Sequence, residues 1–130
     1  MGDMSDNWII NKTDRILVTG AGGFVGSRVV RVLLEYGFTN VRCLIRSDRH
    51  LTELKRLAAG ANAEVEFLVA DLLSREDCLN AARGAAVIYH LAVGASGKSF
   101  PNAFTNAVIP TRNLLDAALQ SGSLKRFVNV

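Results

Sequence analysis

Cysteine and long apolar runs are scarce in this chain, and each scarcity excludes a class of protein. Only 2 of the 130 residues are cysteine, and Cys43 and Cys78 do not form a Cys-x-x-Cys pair. The sequence therefore supports neither a disulfide framework nor a zinc site, and we expect both thiols to be reduced core residues. No apolar run approaches the roughly 18 residues of a transmembrane helix, and the first residues lack the basic flank and apolar stretch of a signal peptide. We expect a cytoplasmic protein with no membrane partner.

Net charge and histidine content are also low. Fifteen Lys and Arg residues against 12 Asp and Glu residues give a net charge of +3, without a basic run or interleaved aromatic residues. This balance predicts no nucleic-acid partner. The two histidines, His50 and His90, have no carboxylate or cysteine cluster around them, so neither a metal site nor a nucleophilic triad is predicted. His90 is interpreted as a buried residue at a strand end and not as a catalyst.

Short apolar runs alternate with amphipathic stretches over residues 14–130, after a polar lead at residues 1–13. Five runs are typical of strands that are buried on both faces, namely 16–18, 41–45, 65–69, 87–91 and 127–130. Helical patterns cover 25–36, 48–59, 74–83 and 102–120, and Pro110 predicts a kink or break near residues 106–110. The alternation predicts an α/β fold, a doubly wound parallel sheet of the Rossmann type with strand order 3-2-1-4-5.

A glycine-rich turn at residues 19–26 joins the first predicted strand to the first predicted helix. Gly20 permits a tight turn, Gly23 leaves room for a pyrophosphate beside the backbone, and Gly26 permits close packing of helix on sheet. The free N–H groups of the first helical turn, which contains Phe24 and Val25, would face the phosphates. After a strand and before a helix, this spacing predicts a dinucleotide-binding domain.

The same turn resembles the Thr-Gly-x-x-Gly-x-x-Gly signature of the extended short-chain dehydrogenase/reductase family, also called the NAD-dependent epimerase/dehydratase family. The similarity covers about residues 14–130. Residues 69–72 (Val-Ala-Asp-Leu) resemble the end of the third strand, where family members place an Asp near the adenine. The resemblance therefore implies that Asp71 and Leu72 bind the cofactor.

Two later segments carry the resemblance further. Residues 90–92 (His-Leu-Ala) resemble the family's His-Leu-Ala-Ala segment beside the nicotinamide ribose, although Val93 replaces the last alanine. This similarity implies that Leu91 and Ala92 bind the cofactor. Residues 105–118 are similar to the family's helix after strand 4.

Positive charge at the end of the second predicted strand favours NADP over NAD. Arg46 stands where an acidic residue would hold the ribose 2′-hydroxyl of NAD and an arginine would neutralise the 2′-phosphate of NADP. Arg42 and Arg49 are expected to add to this positive field. Asp48 could still reach a ribose hydroxyl, which would favour NAD. NADP is the predicted cofactor and NAD the alternative.

A second glycine-containing segment offers an alternative nucleotide site. Residues 92–99 (Ala-Val-Gly-Ala-Ser-Gly-Lys-Ser) approximate the P-loop pattern of ATP-binding proteins, with Ala92 in place of the first glycine. Against this interpretation, the segment follows the fourth strand and a Rossmann turn already follows the first. We therefore favour a loop beside the cofactor and keep a P-loop ATP-binding domain as the weaker alternative.

The catalytic pair of short-chain reductases, Tyr-x-x-x-Lys, is missing from the chain. Tyr36 is followed at that spacing by Asn40, and Tyr89 by Val93. The sequence also stops inside the fifth predicted strand, where family members continue into the catalytic residues and the substrate region. We expect an N-terminal fragment of a longer protein, with no catalytic residue of its own and with its small-molecule substrate bound by the region that follows.

The resemblance implies the NAD(P)-binding part of an oxidoreductase or epimerase/dehydratase that acts on a small carbonyl, hydroxyl or sugar-nucleotide substrate. Pro110-Thr111 and the Arg42-x-x-x-Arg46 spacing are similar to the flavonoid-reductase-like branch, which reduces carbonyls with NADPH, whereas a sugar-nucleotide epimerase stays open. A non-catalytic NADP sensor is the alternative from another class. Family members often form homodimers through helices that include the one predicted at 102–120.

Overall fold

Five apolar segments pair as one parallel sheet in the computed structural model, which describes residues 8–92 and 99–130. The strands are β1 (Arg15–Thr19), β2 (Asn40–Ile45), β3 (Glu64–Val69), β4 (Ala85–His90) and β5 (Arg126–Asn129). Their order across the sheet is β3-β2-β1-β4-β5, so the predicted order 3-2-1-4-5 and the doubly wound fold are confirmed. In the registers, Val18 of the central strand pairs with Cys43 on one side and with Tyr89 on the other.

Helices cover both faces of this sheet because each of the first four strands is followed by a helical crossover to the next strand. The helices are α1 (Phe24–Glu35), α2 (Leu51–Ala59), α3 (Arg75–Ala82), α4 (Phe100–Ala103) and α5 (Ile109–Ser121), and a short 3₁₀ turn, Asp48–His50, precedes α2. One core lies between the sheet and α1 with α2, and includes Ile16, Val18, Val30, Leu33, Val41 and Leu54. The other core lies against α3 and α5, and includes Leu17, Leu44, Cys78, Ile88 and Leu114.

The helix ends follow the signals in the sequence. The hydroxyl of Ser74 accepts a hydrogen bond from the N–H of Asp77 at 3.1 Å, which caps α3 where its start was predicted. Gly122, with a φ of 70°, ends α5 in the left-handed conformation. Both ends are therefore set by local chemistry.

The predicted break before Pro110 is a π-helical segment, Phe104–Val108, which joins α4 to α5. The N–H of Ile109 donates to the carbonyl of Phe104, five residues earlier, which is the hydrogen bond that defines a π turn. Pro110 then lies in the first turn of α5, where a missing N–H costs little. The chain thus continues as a helix past the proline because the irregular turn comes just before it.

Both cysteines are buried and unpaired, as expected for core residues. Burial raises the pKa of the Cys43 thiol to about 12. Burial, with a smaller effect of Asp77 and Asp71, raises the pKa of the Cys78 thiol to about 11. Neither thiol is therefore a reactive thiolate at neutral pH. Among residues 8–92 and 99–130, no helix combines the length and hydropathy of a membrane span.

Candidate functional site

A cavity of about 390 Å³ opens at the carboxyl ends of β1, β2, β3 and β4. This is the edge of a parallel sheet at which ligands bind, and the direction of winding reverses there between β1 and β4. The residues that line the cavity come from every connection above that edge: Gly20, Gly22, Gly23, Leu44, Ile45, Arg46, Ser47, Arg49, His50, Ala70, Asp71, Leu72, Leu73, Leu91, Ala92, Thr105, Asn106 and Pro110.

The floor of the cavity is the glycine-rich turn. Gly20 has a φ of 66°, and a Cβ atom on it would lie 2.8 Å from the backbone nitrogen of Ala92. Gly26 is buried in the first turn of α1, where a Cβ atom would lie 2.0 Å from the carbonyl oxygen of Gly20. Only glycine fits either position, because the backbone around each leaves no space for a Cβ atom and Gly20 also has a left-handed conformation. The turn therefore brings β1, β4 and α1 together without intervening side chains.

The amino terminus of α1 is open towards the cavity. Gly23 is its N-cap residue and lines the cavity, so no side chain caps the helix, and its first turn carries no acidic residue. A Cβ atom on Gly23 would meet only the carbonyl oxygen of Gly20, at 3.3 Å. The first N–H groups of a helix carry partial positive charge, so this end is suited to an anion such as a phosphate.

Thr19 joins the ends of the two central strands. Its Oγ1 accepts hydrogen bonds from the N–H groups of Leu91 at 3.0 Å and Ala92 at 3.1 Å, and lies 2.8 Å from Nδ1 of His90. His90 is buried, as predicted for a strand-end residue, and burial lowers the pKa of its imidazole. These contacts hold Leu91 and Ala92 against Gly20 at the cavity wall.

The loop after β3 is held by the helices below it. The N–H of Asp71 donates to the carboxylate of Asp77 at 2.9 Å, and Oδ1 of Asp71 accepts from the N–H of Leu73 at 3.0 Å. The amide of Asn113, on α5, donates to the carbonyl of Leu72 at 3.0 Å. Asp71 and Leu72 therefore occupy fixed positions on the cavity wall.

Two arginines stand at the end of β2 without a salt-bridge partner in the described part of the chain. Arg46 and Arg49 both line the cavity, and neither takes part in any of the three ion pairs found among residues 8–92 and 99–130. The Ser47 hydroxyl accepts from the N–H of Arg49 at 3.4 Å. This arrangement leaves positive charge available to an anion at this end of the cavity.

The expectation that Arg42 adds to this positive field is wrong. Its side chain is buried, and Nε donates to the carboxylate of Glu66 at 2.8 Å. Nη1 donates to the carbonyls of Asn80 at 3.0 Å and Ala81 at 2.8 Å, at the carboxyl end of α3. Its charge is neutralised by this carboxylate and these helix-end carbonyls, so Arg42 is structural.

Seven of the ten residues predicted to bind a cofactor line the cavity: Gly20, Gly23, Arg46, Asp71, Leu72, Leu91 and Ala92. Gly26 lies behind the turn, and Phe24 and Val25 are exposed in the first turn of α1, outside the lining. The π-helical segment contributes Thr105 and Asn106, which were not predicted as site residues. The sequence indicated these two residues through the similarity of residues 105–118 to the family's helix after strand 4. That similarity implied no role for either residue.

The P-loop alternative falls mostly on Val93 to Lys98, which lie outside the described residues. Of the two residues of that segment that the structure describes, Ala92 lines the cavity and Ser99 does not. Within residues 8–92 and 99–130, no group of three or more His, Cys, Asp or Glu side chains is placed to hold a metal ion.

Comparison with known proteins agrees with this architecture. The NAD-dependent epimerase/dehydratase family matches residues 16–130. The chain belongs to this family.

Individual relatives cover nearly all of the chain but only part of their own length. Aldehyde reductase 2 of Sporidiobolus salmonicolor is 40% identical over 129 residues, 95% of this chain and 36% of the relative. The structure of vestitone reductase from alfalfa (Medicago sativa) matches with a TM-score of 0.70 and 33% identity, over 88% of this chain and 35% of that one. A short-chain dehydrogenase/reductase superfamily protein from Agrobacterium tumefaciens, solved with bound NAD, matches with a TM-score of 0.66 and 29% identity, over 88% and 31%. The chain therefore spans about a third of the length of these relatives.

Proposed function

We propose that this chain is the dinucleotide-binding part of an NADP(H)-dependent reductase that acts on a small carbonyl substrate. The observation that carries the proposal is the cavity at the carboxyl edge of the sheet, whose floor is the turn from Gly20 to Gly26. The family and the similarity to aldehyde reductase 2 and to vestitone reductase support the class of reaction. An epimerase or dehydratase is the other reaction type within the same family.

The residues present fit a dinucleotide. A pyrophosphate is accommodated at the uncapped amino terminus of α1, beside Gly23, where no Cβ atom intrudes. Asp71 and Leu72 border the end of the cavity beside β3, which suits an adenine ring. Leu91 and Ala92 border the end beside β4, which suits the nicotinamide ribose. A cavity of about 390 Å³ is also within the usual range for ligand sites.

Arg46 and Arg49 favour NADP over NAD in this proposal. Both guanidinium groups are free to meet a 2′-phosphate, and an arginine can donate two parallel hydrogen bonds to a phosphate. Asp48 lies in the 3₁₀ turn between them and does not line the cavity. The contact between Asp48 and a ribose hydroxyl, which would favour NAD, therefore has no support from this geometry.

The chain's own role is to bind and orient. When bound, the nicotinamide supplies or accepts a hydride. Gly20 and the Thr19 hydroxyl fix the backbone of Leu91 and Ala92 beside the position proposed for the nicotinamide ribose. No tyrosine or lysine is among the described residues that line the cavity, so proton transfer is assigned to the region that the longer relatives have beyond this match.

The decisive experiment is isothermal titration of the chain with NADPH, NADH and ATP, using Gly23→Val as the test variant. Gly23 has extended backbone angles that valine tolerates, and its side chain would occupy the space assigned to the pyrophosphate. We expect NADPH to bind more tightly than NADH, and Gly23→Val to lose at least about tenfold in affinity while keeping its melting temperature. Lys98→Ala serves as the control and should leave NADPH binding unchanged.

Two results would contradict the proposal. If the folded chain binds neither NADPH nor NADH, the cavity is not a dinucleotide site. Tight ATP binding that is lost in Lys98→Ala would instead support the P-loop alternative.

A non-catalytic NADP sensor is the second candidate, since the cavity at the carboxyl edge of the sheet would serve either protein. Both candidates bind the same dinucleotide, so binding does not separate them. Turnover of NADPH with an aldehyde by the longer protein supports the reductase, and binding without turnover supports the sensor.

We also propose that the protein forms a homodimer through α4, the π-helical segment and α5. These elements carry a row of exposed apolar side chains at roughly helical spacing: Phe100, Phe104, Val108, Leu115 and Leu119. Phe100 and Leu119 are 80% and 79% exposed, which is unusual for large apolar side chains and typical of a surface that a partner covers.

A further inference from the structure

Both ring nitrogens of His90 are engaged, although the ring itself is buried. Nδ1 lies 2.8 Å from Oγ1 of Thr19, at the end of the neighbouring strand. Nε2 lies 3.0 Å from Oγ1 of Thr111, in the first turns of α5. His90 therefore connects the end of β1 to the start of α5 through its side chain alone.

The contacts of Thr19 determine where the protons lie. Its Oγ1 already accepts hydrogen bonds from the N–H groups of Leu91 and Ala92, so its single hydroxyl proton is the only donor left for Nδ1 of His90. Nδ1 is therefore the acceptor, and the proton of the neutral ring is on Nε2. This tautomer donates to Oγ1 of Thr111.

Thr111 continues the chain of hydrogen bonds into the π-helical segment. Its hydroxyl donates to the carbonyl oxygen of Ala107 at 2.8 Å. None of the five residues Phe104–Val108 is buried, so hydrophobic packing contributes little to their position. Two of them, Thr105 and Asn106, line the cavity. Polar contacts, more than core packing, therefore hold this wall of the cavity.

We propose that His90 is a positioning residue which, through Thr111, holds the π-helical segment Phe104–Val108 so that Thr105 and Asn106 complete the dinucleotide cavity. The proposal rests on the proposed function for the identity of the ligand. The geometry that carries it is one directed series of hydrogen bonds, from Thr19 through His90 and Thr111 to Ala107. His90 itself is not among the residues that line the cavity.

The test compares Thr111→Val with Thr111→Ser. Valine keeps the branched shape of threonine but removes the hydroxyl, whereas serine keeps the hydroxyl. We measure amide hydrogen exchange of residues 104–108, the ¹⁵N shifts of the His90 ring, and the Kd for NADPH. Thr111→Val removes two hydrogen bonds, from His90 and to Ala107. In this variant we expect exchange in the segment to rise about tenfold and NADPH to bind about three- to tenfold more weakly, because only part of that loss reaches the ligand. In Thr111→Ser, both the exchange rate of the segment and the Kd for NADPH should stay within about twofold of their values in the unmodified chain.

His90→Asn provides an independent variant, since asparagine can accept from Thr19 but is too short to reach Thr111. Its effect on exchange should not add to that of Thr111→Val, because both remove the same contact. Exchange in α1, which lies on the other face of the sheet, reports any general loss of stability.

Three results would overturn the proposal: unchanged exchange at 104–108 in Thr111→Val, a proton on Nδ1 of His90 in the unmodified chain, or fully additive effects of the two variants. If the chain binds no NADPH, the proposed function fails. The exchange and ¹⁵N measurements still decide whether His90 positions the segment.

Discussion

Gly26 lies so close to Gly20 that a Cβ atom on it would approach the carbonyl oxygen of Gly20 to 2.0 Å. The first turn of α1 is thus in direct backbone contact with the end of β1. This contact sets how far the amino terminus of the helix extends over the sheet, and hence where the proposed phosphate position lies relative to Leu91 and Ala92.

Replacing Gly26 with alanine should therefore destabilise the fold as well as the site. Backbone atoms must shift to admit the methyl group, and overpacking of this kind costs about 1–3 kcal/mol. We expect a fall of several degrees in melting temperature, measured by circular dichroism. Gly60→Ala is the matched control, because Gly60 has a φ of −84° and nothing lies within 4 Å of its Cβ position. Equal melting temperatures for the two variants would contradict the close contact.

The charge of Arg46 should decide between the two dinucleotides. Arg46→Ala removes a charge-assisted contact with the 2′-phosphate, so NADPH should bind roughly ten- to hundredfold more weakly while NADH is nearly unaffected. Arg46→Asp should go further and favour NADH, because a carboxylate repels the phosphate and accepts from ribose hydroxyls. The measurement is the ratio of the two Kd values, taken at one moderate salt concentration because exposed charges are screened.

Arg56→Ala is the control for Arg46, since Arg56 is exposed on α2 and does not line the cavity. Its Kd ratio should match that of the unmodified chain. An unchanged ratio in Arg46→Asp would remove Arg46 from the proposed site.

Protonation of His90 should weaken the fold at mildly acidic pH. Burial lowers the pKa of His90 below its ordinary value of 6.5, so between these two pKa values the unfolded chain binds more protons than the folded chain. The free energy of unfolding should therefore be at its full value above about pH 6.5 and should decrease as the pH falls through the folded-state pKa. Urea unfolding at several pH values measures the slope. His90→Asn should flatten this part of the slope, and an identical slope in both proteins would contradict the assignment.

The proposed homodimer should depend on the apolar row along α5. The double variant Leu115→Lys with Leu119→Lys places two charges on that surface, which disfavours burial against a partner. Size-exclusion chromatography with light scattering should give a dimer for the unmodified protein and a monomer for this variant. Val32→Lys, on an exposed position of α1, should leave the dimer intact. A monomeric unmodified protein would exclude the dimer.

The sheet order and the position of the glycine turn could be predicted because their signals are local. Strands buried on both faces appear as unbroken apolar runs, and the glycines at 20 and 26 mark places where a side chain has no room. The capping hydroxyl of Ser74 acts over three residues. Each of these features depends on residues that are close together in the sequence, so a local sequence pattern is enough to predict it.

Arg42 was misassigned because its partners are far away along the chain. Its position four residues before Arg46 is compatible with a cluster of arginines, but the carbonyls that it contacts belong to α3, about forty residues later. Only the packing of α3 beneath β2 and β3 shows where this guanidinium is neutralised. An arginine inside an otherwise apolar run was the one local sign of a buried charge that needs partners.

The contribution of the π-helical segment could be predicted only in part. Pro110 indicated an irregular turn near residues 106–110, but not that the turn is a π turn or that it faces the cavity. The contact that joins the start of α5 to the sheet, between Thr111 and His90, links residues that are separated by a whole loop, so no local pattern contains it.

The π turn also changes the rotational phase of the helix that contains it. An α-helix advances about 100° per residue, and a π turn holds one residue more than an α turn. Compared with an uninterrupted helix, the part before Phe104 is therefore rotated by about 100° relative to the part after Val108. An unbroken α-helix of the same length would instead turn Phe100 by about 100° away from the face that carries Leu115 and Leu119. One residue thus sets both the cavity wall and the alignment of the apolar row.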